Sequence, residues 1–127
     1  MRPVFTPDAP APGGHYSQAV IHGDTVYVAG QLPFAPGTEP GDGDPGDAYA
    51  QTRQAMANLG AILDAAGSGL DHALQVVLYV SDIDLWSEVN RAYVDVMGDH
   101  KPARAVVPVG PLHFGYVVEI QAIAALR

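Results

Sequence analysis

The chain has 127 residues, a formal net charge of −8 and no cysteine. That length suits a single domain, 1–127, with a core large enough to need no staple, and the missing cysteine excludes disulfides, thiolate metal sites and a thiol nucleophile. Six Lys and Arg are scattered against fourteen Asp and Glu, which disfavours nucleic acid as a partner, since phosphate binding needs clustered cations.

In chain order, MRPVFTPDAPAPGGHYSQAV has no apolar stretch of the kind a secretory signal carries. Residues 7 to 14, PDAPAPGG, hold too many prolines and glycines for regular structure. AVIHGDTVYVAG, Ala19 to Gly30, predicts two short strands about a Gly-Asp turn. Residues 36 to 47, PGTEPGDGDPGD, form an acidic loop that lacks the ligand set of an EF-hand. Asp47 is placed to cap a helix running to about Ala66, with Met56, Leu59, Leu63 and Ala66 at helical spacing and Gly67 as its stop. His72 to Val80 is short and rich in β-branched residues, a strand. Asp82 or Asp84 starts a second helix with Trp86, Val89, Tyr93 and Val96 on one side, ended by Gly98. Two strands, 103–109 and 116–125, close the chain around the turn GPLHFG.

This order predicts a sheet with both helices on one face. Pro108 cannot donate a ladder bond, which puts the 103–109 strand at an edge. The last strand is apolar on both sides, with Val118, Ile120, Ala122 and Ala124 alternating with Val117 and Ile123. Two helices cover one face only, so the other needs a second copy of the chain, and a homo-oligomer is expected. No apolar run approaches the ~18 residues of a membrane span. A cytoplasmic protein with no membrane partner is expected.

Two charges stand out inside these apolar segments: Arg104 in PARAVVPV and Glu119 in YVVEIQAIA. Burying either alone costs several kcal/mol. One reading is a structural ion pair, or a charge reaching a subunit rim. The other is a ligand pocket, in which a guanidinium holds a planar anion and a carboxylate handles a proton or a water. Arg104 shares its strand face with Val106. Tyr16 stands at a strand entrance, Gly30 at a strand end where a ligand can approach bare backbone, and Asn90 on the second helix. The five histidines show no metal-ligand spacing and no HExxH, so no metal is expected. No serine has a nucleophile-elbow context.

Taken together, HYSQAV, VYVAGQLP, QTRQAMANLGAILDAAGSGLD, YVSDIDLWSEVNRAY, PARAVV and VVEIQAIA resemble the RidA (YjgF) imine deaminase family, in its order and spacing and along nearly the whole chain. The resemblance implies an α+β fold: a mixed sheet with two helices on one face, like the chorismate mutase of bacilli, assembled as a barrel-like homotrimer with clefts between subunits. It implies hydrolysis of 2-imino or enamino acids of the 2-aminoacrylate type to 2-oxo acids and ammonia, without a cofactor. Arg104 and Glu119 would be catalytic and would meet in a cleft, and Tyr16, Gly30, Asn90 and Val106 would bind substrate. Departures from the family pattern at Ala29, Val106 and Leu112-His113-Phe114 bear on the substrate more than on the fold, and fit a bulkier or more apolar imine. The alternative is a non-catalytic trimer that binds small carboxylates; it would keep Arg104 and dispense with Glu119.

Overall fold

The predicted hairpin, helices and closing strands are all present in the computed structural model, which describes all 127 residues. The strands are β1 (Arg2–Val4), β2 (Ala19–His22), β3 (Thr25–Gln31), β4 (Ala73–Val80), β5 (Ala103–Pro108) and β6 (Val118–Ala125); the helices are α1 (Ala48–Ala65) and α2 (Trp86–Met97). They form one mixed sheet in the order β1-β2-β3-β6-β4-β5. Only β4 and β5 pair in parallel; every other neighbouring pair is antiparallel. Pro108 ends β5, which is an edge strand as predicted.

Several boundaries differ from the sequence reading: β5 ends at Pro108 and not at 109, and β6 begins at Val118 and not at 116. Arg2–Val4 form a short edge strand against β2, which three residues centred on Pro3 did not signal. His72 belongs to a 3-10 turn, Leu70–His72, so β4 begins at Ala73.

The helices start and stop where local chemistry dictates. The Asp47 carboxylate accepts a hydrogen bond from the Ala50 N–H at 2.8 Å, satisfying a donor that the first turn of α1 leaves unpaired. The Asp82 carboxylate does the same for the Asp84 N–H at 2.8 Å, which sets a 3-10 turn, Ile83–Leu85, running straight into α2. Gly98 follows α2 at φ +62°, a conformation that costs a side chain dearly and glycine nothing.

Alternation along the strands divides the sheet into two faces. Val26, Val76, Leu78, Val80, Val118 and Ile120 are fully buried against Met56, Leu59, Ile62 and Leu63 of α1 and Val89 of α2. Both helices therefore cover the same face, as predicted. The opposite face carries Tyr27, Val77, Tyr79, Glu119 and Ile123, aligned across β3, β6 and β4. None of these five is fully covered within one chain, and Tyr27 is 47% exposed. This face, which mixes aliphatic and aromatic side chains with Glu119 and Gln121, is left open by the fold of a single copy.

Candidate functional site

The open face holds one half of the candidate site. Glu119 stands on β6 opposite Tyr79 of β4, on the uncovered side of the sheet. Beside it β3 loses its regular register between Val28 and Gln31. Gly30 lies in that irregularity, and its missing side chain is what lets the carboxylate in: a Cβ there would sit 2.6 Å from Glu119 Oε2. The glycine is required for this close approach.

Around this point lies a hollow of about 570 Å³, lined by Tyr16, Gly30, Gln31, Glu119 and the loop that carries His113 and Phe114. Tyr16 is half-exposed at its rim, and its hydroxyl accepts a hydrogen bond from the Gly13 N–H at 3.3 Å. Tyr16, Gly30 and Glu119 are thus brought together.

Two buried amides that the sequence reading passed over shape this hollow. The Gln18 side chain accepts from the Thr6 N–H at 2.7 Å and donates to the Thr6 and Pro10 carbonyls at 3.1 and 2.9 Å. It folds the proline-rich segment into one wall. Asn58 of α1 donates to the carbonyls of Leu32 and Phe34, at 3.0 and 2.9 Å, and fixes the chain as it leaves β3. Buried amides are retained where backbone groups outside the ladder need partners. Only HYSQAV hinted at Gln18, as a polar residue entering an apolar strand.

The other half lies across the sheet. Arg104 pairs in register with Val76 and Val106 with Leu78, and Val76 and Leu78 face the helices, so Arg104 and Val106 point to the helix side of edge strand β5. The Arg104 guanidinium donates from Nη1 to Asn90 Oδ1 at 2.7 Å. It lies 5.0 Å from the Tyr93 ring centre and 5.9 Å from that of Trp86. Two aromatic faces and an amide oxygen fix the planar group without neutralising its charge. Burial pushes the Tyr93 phenol up, against the pull of the Arg104 charge, and its hydroxyl is buried with no hydrogen-bond partner. Val106 is half-buried and packs against the core.

Arg104, Asn90 and Val106 therefore form one cluster and Tyr16, Gly30 and Glu119 another, on opposite faces of one sheet. Within a chain Arg104 and Glu119 do not meet. The structural ion pair allowed by the sequence is also absent: the only carboxylate bridged to a cation is Asp71, held by Arg127 at 2.8 Å, with His72 at 3.9 Å. Arg104 is exposed and carries no carboxylate. No three His, Asp or Glu side chains converge in a way that would hold a metal ion, and no helix is long and apolar enough to cross a membrane.

Comparison with known proteins agrees with this architecture. The family model described as Endoribonuclease L-PSP matches residues 6–126. A RutC family protein of Pyrococcus horikoshii is 41% identical over 95% of this chain and 94% of its own. The goat 2-iminobutanoate/2-iminopropanoate deaminase is 39% identical over 97% of this chain and 88% of its own. The crystal structure of RidA from an Antarctic Psychrobacter superposes with a TM-score of 0.90 at 38% identity, covering 99% of this chain and 100% of that one. The match spans the elements that carry both clusters, and the chain belongs to the RidA (YjgF) family, described by that model as Endoribonuclease L-PSP.

Proposed function

We propose that this chain is a cofactor-free deaminase that hydrolyses 2-imino acids to 2-oxo acids and ammonia, at sites shared between neighbouring copies of a homotrimer. The observation that carries the reading is the pairing of two incomplete half-sites. One has a guanidinium held in place without an anion, and the other a carboxylate set against bare backbone in a hollow. Covering the open sheet face of one copy with the β5 edge of the next would bring Arg104 of one to Glu119 of the other.

Each group then has a task. Arg104 clamps the substrate carboxylate through its free N–H groups, while Asn90 fixes its orientation. Glu119 takes a proton from a water whose oxygen adds to the imine carbon. The C=N double bond becomes a C–N single bond, and nitrogen takes up a proton. The resulting carbinolamine loses ammonia as its C–O bond becomes C=O; one water enters and one ammonia leaves. Neither oxidation nor reduction is involved, so two side chains and a water supply the whole reaction. Gly30 offers backbone at the reacting centre, Tyr16 closes the rim, and the Arg104–Val106 backbone flanks the carboxylate. Relatives named as 2-iminobutanoate/2-iminopropanoate deaminases, at 38 to 39% identity, support the reading.

The family description also names an endoribonuclease. RNA needs a continuous basic track, and this chain lacks one. Arg53 and Arg91 both lie over the Tyr49 ring and Arg127 is bridged to Asp71. The net charge of −8 opposes RNA further.

The test is interception of an imine. An amino-acid oxidase generates the imine in the presence of semicarbazide, and the protein is added. Semicarbazone formation should fall with wild type, and Arg104→Ala should cancel that effect while the oligomer persists. Binding of 2-oxo acids with no suppression over a panel of imines would instead establish a carboxylate-binding module.

A further inference from the structure

The hollow beside Glu119 has a wall that imine hydrolysis does not need. It is built of aromatic rings. Phe34 stacks on Tyr116 with centroids 6.3 Å apart and planes 6° from parallel. Phe114 lies 6.1 Å from Tyr116, and His113 lies 5.8 Å from Phe114. Phe34, His113 and Phe114 face the hollow, and Tyr116 is buried behind them.

Phe114 is held there at a cost. It is the one residue other than glycine with positive φ, at +61°, and a bulky side chain in that region is a true outlier. A structural residue at this turn would be glycine. The ring is also 58% exposed, so core packing does not explain it. It is backed instead by the acidic loop, where Gly41 comes so close that a Cβ would meet the ring at 3.4 Å. The Gly41 N–H donates to the Tyr116 hydroxyl at 2.7 Å, tying loop and turn together. Strain, exposure and backing together describe a ring presented to a ligand.

We propose that this wall selects 2-imino acids with a large apolar side chain, aryl-bearing ones above all, over the smallest members of the class. The proposal rests on the deaminase reading and adds its substrate preference. With the carboxylate on Arg104 and the imine carbon beside Glu119 and Gly30, the side chain extends along the floor of the hollow towards Phe114. A ring stacks there, edge or face, and sheds water. A methyl group is too short to reach it.

The experiment compares phenylpyruvate and pyruvate, the product acids, by calorimetric titration of the intact oligomer. It then compares hydrolysis of the imines of phenylalanine and alanine. Wild type should prefer the aryl member of each pair by at least about tenfold. Phe114→Gly should collapse that ratio towards one without lowering the melting temperature, because it also relieves the positive φ. Phe114→Tyr should keep the ratio. Equal affinity of wild type for both acids overturns the proposal, as does a Phe114→Gly variant that keeps the preference or falls apart into single chains. Hydrolysis of both imines without preference sinks the wall and leaves the deaminase standing. Aryl-acid preference without hydrolysis of either imine supports the wall and sinks the deaminase.

Discussion

Gly30 shows how one absent side chain can define a site. The Glu119 carboxylate occupies the space that any other residue at position 30 would fill. In Gly30→Ala the carboxylate, as the end of a flexible side chain, would move and the fold would survive. We expect deaminase activity to fall about 10- to 100-fold, since misplacing a reacting group by about 1 Å carries that penalty, with the melting temperature within about 2 °C of wild type. Retained activity in a steady-state assay would separate Gly30 from the chemistry. Tyr93 presents the opposite case, a polar group where none is satisfied. Its hydroxyl is buried without a partner, and burial raises its pKa. An unpaired buried group costs about 1–3 kcal/mol, so Tyr93→Phe should be neutral or stabilising by about 1 kcal/mol in urea unfolding. The sign of the pH effect follows from the raised value. Above the unfolded pKa near 10 the unfolded chain gives up its phenolic proton first, so stability is lost as pH rises beyond that point. Tyr93→Phe should remove that part of the alkaline loss; an unchanged alkaline slope would assign it to other groups.

Among the elements, α1 ties the layers together. It begins at the Asp47 cap, packs Met56, Leu59, Ile62 and Leu63 on the sheet, and sends two side chains to the hollow's supports. Asn58 holds the exit of β3, and Gln51 accepts from the Val117 N–H at 2.9 Å, at the entry of β6. Both strands carry site residues, so helix and site are mechanically linked. Asp47→Ala should cost about 1 kcal/mol and lower the melting temperature by about 4 °C in a thermal scan. A shift no larger than that of a surface control such as Asp99→Ala, whose exposed carboxylate holds no partner, would mean the cap is redundant. Strand β5 matters for a different reason. Its edge position leaves Arg104, on the helix-covered face, open to another chain, whereas the central strands are closed on that face by α1 and α2.

For the whole molecule, the decisive fact is that one sheet separates the Arg104 cluster from the Glu119 cluster. The proposed homotrimer predicts that inactive variants complement one another. Equal mixing of Arg104→Ala and Glu119→Gln after reversible dissociation should restore about a quarter of wild-type activity, because random reassembly gives one shared site in four both intact groups. Sites complete within single chains would restore none. The same assembly predicts that Ile123→Glu, on the open face, shifts the particle from trimer to single chains in analytical ultracentrifugation. A burial of charge on that face is hard to accommodate once copies meet.

Local patterns in the sequence were enough for most of the architecture. Helical spacing with Asp47 and Gly98 as punctuation marked α1 and α2, a Gly-Asp turn and β-branched content marked the strands, and Pro108 marked an edge, because each of these depends on neighbours a few residues away. The candidate residues were also legible, since a charge in an apolar strand is conspicuous wherever it lies. Strand β1 was not, being three residues whose only signal is pairing with β2. Nor was the side of the sheet taken by each charge. Arg104 and Glu119 sit in strands that do not pair with each other, and the face each presents depends on registers with β4 that join residues far apart in the chain. The aromatic wall likewise joins positions 34, 41, 114 and 116 through contacts between loops. Such contacts leave no periodicity to read; only the folded chain decides them.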